Sequence, residues 1–128
     1  MAKIYYFTRT GDSKKVAESI AAQNGVELCP ITDGQDWSGA GGYLRGGYYA
    51  SAKKSLPASY KTPEPGEEIY LCFPIWAGSF PPAVRSFVDA VGRTRIIAVP
   101  SSKGSHLKDT EGFARVLEVI GPHKAVTL

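Results

Sequence analysis

The sequence has little cysteine, histidine or methionine: two, two and one in 128 residues. Cys29 and Cys72 both sit inside apolar strand patterns, which marks them as buried thiols rather than a disulfide. Two Cys and two His scattered without ligand spacing exclude a metal centre from the expectations, and no catalytic residue stands out. No apolar stretch approaches membrane-spanning length, and Met1-Ala2-Lys3-Ile4 runs straight into a strand without an apolar leader. A cytoplasmic location and no membrane partner are therefore expected. Acidic residues are missing between Trp37 and Pro63, where Arg45, Lys53, Lys54 and Lys61 stand without a counter-charge in a chain of net charge +3. That segment reads either as a solvated face or as a surface that steers an anionic partner. It is not dense enough in basic residues to expect nucleic acid.

What is present fits one domain over residues 1–128, 43% apolar. Strand patterns fall near residues 3–7, 26–32, 68–73, 95–100 and 123–128, and helix patterns near 13–23, 82–91 and 107–120. Apolar strands alternating with helices predict an α/β fold with a parallel sheet covered on both sides. The crossover from about residue 33 to 67 is different, since glycines at 39, 41, 42, 46 and 47 interrupt it. It reads as a loop with one short helix near Tyr43 to Lys54.

Two loops carry the chemistry. Thr8-Arg9-Thr10-Gly11-Asp12-Ser13 lies between the strand Ile4-Tyr5-Tyr6-Phe7 and a helix pattern that puts Val16, Ile20 and Ala21 on one face. A strand that stops at hydroxyls and a glycine and then enters a helix presents unpaired N–H groups at the positive helix end, a cradle for an anion. The loop lacks the lysine of a Walker loop and the glycine trio of a dinucleotide fingerprint, so a monophosphate fits best. The second loop, Pro74-Ile75-Trp76-Ala77-Gly78 through Pro82, follows the strand Ile69-Tyr70-Leu71-Cys72-Phe73 and holds a tryptophan among prolines. An aromatic at a strand end offers a flat face to a planar ring. Other doubly wound families fail on their own residues. A receiver domain needs acids at the ends of strands 1 and 3, where Phe7-Thr8 and Cys72-Phe73-Pro74 stand; a small tyrosine phosphatase needs Arg six positions after a Cys, where Gly78 and Gln35 stand.

With both loops considered, the chain resembles the flavodoxin family, whose members bind FMN noncovalently and carry electrons. Thr8-Arg9-Thr10-Gly11-Asp12-Ser13 is similar to the family's phosphate loop, with Asp12 in the usual Asn place. Pro74-Ile75-Trp76-Ala77-Gly78 is similar to its next flavin loop, and the order of elements extends the resemblance over nearly the whole chain. It implies a three-layer, five-stranded parallel sheet in the order 2-1-3-4-5 with the site between strands 1 and 3. It also implies that Thr8, Arg9, Thr10, Gly11, Asp12, Ser13 and Lys14 surround the phosphate, that Trp76 stacks on the flavin, and that Pro74, Ile75, Ala77 and Gly78 line its ring. Ser101, Ser102, Lys103 and Gly104, in the loop after strand 4, complete the pocket.

Three departures accompany the resemblance. The third loop has only His106 as a ring-bearing residue, so Tyr43, Tyr48 or Tyr49 covers the second flavin face, or that face stays open. The charge is positive where the family's electron carriers are acidic. The sequence ends at Val126-Thr127-Leu128 without the family's terminal helix, so a homodimer is expected over the partly covered sheet face. The implied function is a low-potential FMN electron carrier working with a redox protein or a small electron acceptor. An FMN-dependent NAD(P)H:quinone-type reductase and a flavin-free module for another phosphate ligand or a protein remain as alternatives, so whether the protein is an enzyme stays open.

Overall fold

The computed structural model describes residues 2–9, 12–102 and 106–120. Strand β1, Ala2–Tyr6, is followed by helix α1, Asp12–Asn24, strand β2, Glu27–Pro30, helix α2, Gly39–Ser51, and strand β3, Glu68–Pro74. Helix α3, Pro82–Val91, a short 3-10 turn at Arg93–Arg95, strand β4, Ile96–Ser102, and the two-residue strands β5, Arg115–Val116, and β6, Val119–Ile120, complete the described order. The strands are parallel throughout and lie in the order β2-β1-β3-β4-β5, with β6 also on β4. The chain leaves β1 toward one edge and returns to β3 on its other side, so the order reverses between these two strands. That reversal opens a crevice at their carboxyl ends.

The two sheet faces are covered by different helices. Neighbouring residues of a strand point to opposite faces, and both Ile4 and Tyr5 are fully buried, which fits a central strand of a doubly covered sheet. Ile4, Cys72 and Val99 pack beneath Val16, Ala17 and Ile20 of α1. Tyr5, Leu71, Phe73 and Ala98 face Ala50 of α2 and Ala83, Val84, Phe87 and Val88 of α3. Pro82 sits at the first turn of α3, where its missing N–H is harmless. Cys29 and Cys72 are buried free thiols, one in each core layer, and burial pushes the Cys72 thiol up to about 12.

Helix α2 lies further toward the amino end than expected, starting at Gly39 rather than near Tyr43 and ending at Ser51 rather than near Lys54. Glycine in a helix interior costs roughly 0.5–1 kcal/mol against alanine, so packing must offset it. A Cβ on Gly42 would stand 2.1 Å from the Trp37 carbonyl oxygen, and one on Gly46 would stand 3.0 Å from the Trp76 ring. Two glycines four apart thus make a bare helix face against which both indoles lie. Gly41 and Gly47 meet nothing and contribute only the cost.

The end of the described chain also differs from expectation. No helix forms over 107–120; Gly112, at φ 88, interrupts that segment, and the β-branched Val116, Val119 and Ile120 pair with the free side of β4 instead. Leu117 N–H donates to the Ala98 carbonyl at 2.8 Å, so β5 and β6 act as one edge strand interrupted at Glu118. The predicted strand at 123–128 lies outside the described residues. Strand β4 also runs on through Ser101 and Ser102, which the sequence reading placed in a loop.

A buried ion pair closes the amino end of the sheet. Lys3 Nζ and Glu67 Oε2 are 3.0 Å apart, with side chains 9% and 6% exposed. Burial pushes the Glu67 carboxyl up, but the Lys3 ammonium and the Glu64 N–H outweigh it and hold the carboxyl below its usual range. The hydrogen bond that the Lys3 ammonium donates to Glu67 in turn raises Lys3.

Two outcomes follow. Gly47→Ala raises stability by roughly 0.5–1 kcal/mol, whereas Gly42→Ala lowers it by roughly 1–3 kcal/mol through the clash with the Trp37 carbonyl; urea midpoints of the two variants check both signs. The Lys3–Glu67 pair stabilises the fold between the unfolded values of its groups, about 4.3 for Glu and about 10.4 for Lys. The depressed Glu67 loses its contribution as pH falls below that lower value, and the raised Lys3 loses its own as pH rises through its folded value. Lys3→Met therefore weakens the pH dependence of the urea midpoint on both limbs.

Candidate functional site

The residues singled out in the sequence come from three chain segments, and the structure brings those segments together at the carboxyl ends of β1, β3 and β4. Thr8 and Arg9 follow β1, and α1 begins at Asp12. Thr10 and Gly11 lie outside the described residues, as do Lys103 and Gly104 beyond β4. Ser13, 1% exposed, places its hydroxyl 3.0 Å from that of Ser101, which lies 3.4 Å from the Phe73 carbonyl oxygen. Ile75 N–H donates to the Ser101 carbonyl at 3.1 Å. The first and third segments are therefore joined by two buried hydroxyls, and the second and third by a backbone bond. Ser13 braces α1 from within, while Lys14 is exposed. The first-turn N–H groups of an α-helix have no intrahelical acceptor, so the start of α1 offers donors to an anion.

After Pro74 and Ile75, Trp76 and Ser79 exchange backbone bonds of 3.0 and 2.9 Å around Ala77 and Gly78. Both central residues have positive φ, 51° and 75°, the geometry of a primed hairpin turn. Alanine stores about 1–2 kcal/mol of strain there. A Cβ on Gly78 would stand 2.8 Å from Lys108 Cε, the far end of a flexible side chain that can move aside, so it is the positive φ that favours glycine there. The Gly78 carbonyl accepts the Lys108 N–H at 3.0 Å, which fastens the turn to the segment after β4.

Trp76 is buried, 5% exposed, with its ring edge-on to Phe7 and Trp37 at centroid distances of 5.7 and 5.1 Å. The guanidinium of Arg9 lies over it at 5.3 Å and over the exposed Tyr43 ring at 3.5 Å. A flat cation thus bridges two aromatic rings at the mouth of the three segments, the place where a planar group would stack. The indole N–H of Trp76 is buried without an acceptor among the described residues. A buried donor left unpaired costs roughly 1–3 kcal/mol, so an acceptor brought to this place would be stabilising.

Of the three tyrosines weighed as a second ring wall, Tyr43 reaches this place through Arg9. Tyr49 packs on Trp37 instead, and Tyr48 is 59% exposed. Trp37 was missed as a site support. Its N–H donates to Asp33 at 2.9 Å, and Arg45 lies 4.6 Å over its ring. The spacing of Gly42 and Gly46 was the available signal, since a bare helix face needs a bulky partner and the chain has only two tryptophans. His106 is exposed and pairs with Glu118 at 2.8 Å. Hydrogen bonding from His106 holds the Glu118 carboxyl below its usual range. The basic run is partly committed: Arg45 to Gln35 and the Asp36 carbonyl, Lys61 to Glu27. Among the described residues no three His, Cys, Asp or Glu come together as metal ligands, and no helix is long and apolar enough to cross a membrane.

No family model matches the chain. An uncharacterised protein of Archaeoglobus fulgidus is 34% identical over 99 residues, and the match spans 73% of this chain but 60% of that relative's length. Solved structures resemble it more completely. A flavoprotein from Lactobacillus acidophilus, determined in complex with FMN, superposes with a TM-score of 0.69 at 15% identity, over 93% of this chain and 91% of its own. A flavoprotein candidate from Bacteroides uniformis gives a TM-score of 0.72 at 19% identity over 96% and 92% of the two chains. Another, from Bacteroides eggerthii, gives 0.66 at 18% over 93% and 86%. The chain shares with them a flavodoxin-like α/β fold.

Proposed function

We propose that the chain binds FMN at the carboxyl ends of β1, β3 and β4 and serves as a low-potential electron carrier. The observation that carries this reading is the Trp76 indole N–H, buried and without an acceptor among the described residues, beside an aromatic pair bridged by a flat cation. The donor set suits the cofactor: first-turn N–H groups for a phosphate, an unpaired in-plane indole N–H for an oxygen of the phosphate or ribityl chain, and aromatic faces for the ring itself. The shared fold with an FMN-bound flavoprotein supports the same choice.

FMN supplies the capacity to store one or two electrons, and the polypeptide supplies its orientation and surroundings. In this reading the start of α1 takes the phosphate, and the Ser13–Ser101 contact keeps that turn in place. Arg9 gives up its position over Trp76 to the ring, and Trp76 and Tyr43 shield the ring from water. A second reading, an FMN-dependent NAD(P)H:quinone-type reductase, is favoured by a cavity beside the Ala77–Ser79 turn that has room for a small molecule.

Titration of the full chain with FMN tests the proposal. The expected result is protein-bound flavin absorbing near about 450 nm after gel filtration. Trp76→Phe, which keeps the ring and removes the N–H, weakens binding about tenfold. No retained flavin and no change in tryptophan fluorescence at high FMN would contradict it and leave the flavin-free module. NADH consumption in the presence of a quinone separates the reductase from the carrier.

A further inference from the structure

A cavity of about 460 Å³ lies between the carboxyl end of α2, the turn at Ala77–Ser79 and residues 108–111. Among the described residues none from the loop after β1 lines it, and it shares the Ala77–Ser79 turn with the proposed ring site. Its volume is within the range of small-molecule pockets.

Two kinds of observation mark it as built for a ligand. The described residues include only two non-glycine residues with positive φ, Lys53 at 56° and Ala77 at 51°, and both line this cavity. Lys53 occupies the position after α2 where the Lys53 N–H bonds Ala50 O at 3.1 Å and the Lys54 N–H bonds Tyr49 O at 2.9 Å. Glycine is the residue that this helix ending favours. A lysine kept there at a conformational cost is a reason to look for a function of its charge.

The charges around the cavity are unequal. Asp109 is held by both terminal nitrogens of Arg93, at 2.6 and 2.7 Å, so its carboxylate is already matched. That leaves the ammonium groups of Lys53 and Lys108 against Glu111 alone. Ser79 Oγ accepts from Arg85 at 2.6 Å, so its own O–H remains available to donate. Ala77 is the exposed small residue of the lining, while Ala50 is fully buried beneath it and Gly78 is covered by the Lys108 side chain.

We propose that this cavity is a second binding site, for a small organic anion that lies beside Ala77 and whose anionic group meets Lys53, Lys108 and the Ser79 hydroxyl. Binding does not depend on the flavin reading. Only the role does: beside the Ala77–Gly78 turn, such an anion is placed as a small-molecule redox partner of the flavin.

The test titrates the full chain with naphthalene-2-sulfonate, following backbone amide shifts, with and without FMN. Saturable shifts are expected at Ala50, Lys53, Gly78 and Lys108, with weaker binding of the neutral naphthalene-2-methanol. Lys53→Gly and Lys108→Gln each weaken sulfonate binding about fivefold through loss of one charge. Lys53→Gly also relieves the positive φ and raises the melting temperature, so its loss of binding is not a loss of folding. Absence of saturable shifts, equal binding of the neutral probe, unchanged affinity in both variants, or competition between FMN and the sulfonate would each overturn a second site. Sulfonate binding without any FMN binding would sink the flavin reading and leave this site standing.

Discussion

The close approach of two indoles to the bare face of α2 is the contact on which the rest of the site depends. Gly42 lets the Trp37 backbone touch the helix, and Gly46 lets the Trp76 ring lie against it. This contact docks α2 beside the carboxyl ends of the strands. It thereby sets Tyr43 within reach of Arg9 and places Ala50 and Lys53 opposite the Ala77–Gly78 turn. A methyl group on either glycine would move the helix or the ring, and both candidate sites would change shape together.

The same region departs from what stability alone would select. Gly41 and Gly47 weaken a helix they do not help to pack, Ala77 and Lys53 take backbone conformations better suited to glycine, and the Trp76 N–H has no acceptor among the described residues. The sheet, by contrast, is conventional: fully buried Ile4, Leu71, Phe73 and Val99, with amphipathic helices on both faces. Strain and unmet hydrogen bonding gathered at the carboxyl ends of parallel strands are the pattern expected where ligands bind. The hydroxyl pair Ser13–Ser101 connects the two regions, tying the start of α1 to the interior strand β4.

Much of this was legible in the sequence because the signals were local. Runs such as Ile69–Phe73 can only be buried strands, and the turn from Phe7 through Ser13 into Val16 and Ile20 marks a strand-to-helix passage. The strand order itself entered through the resemblance of the two loops. What escaped was decided by tertiary partners. The glycines of α2 read as helix breakers until two indoles are seen to need them. Residues 107–120 read as a helix because Phe113, Val116, Leu117 and Ile120 have helical spacing, yet an unpaired side of β4 was available to accept β-branched residues. Within the site, the Trp76 and Ser101 neighbourhoods could be named but not their contacts. The Arg9 bridge to Tyr43 joins residues far apart in sequence and leaves no local trace.

The geometric core of the proposal is that the place now taken by Arg9, against Tyr43 and Trp76, is where a flavin ring settles. Ring currents make it measurable: in the free protein the Arg9 side-chain protons should resonate upfield of ordinary arginine positions. Addition of FMN should move them back toward ordinary values in step with flavin binding. Arg9 signals that stay shifted while FMN saturates the protein would show that the ring binds elsewhere and would contradict this placement.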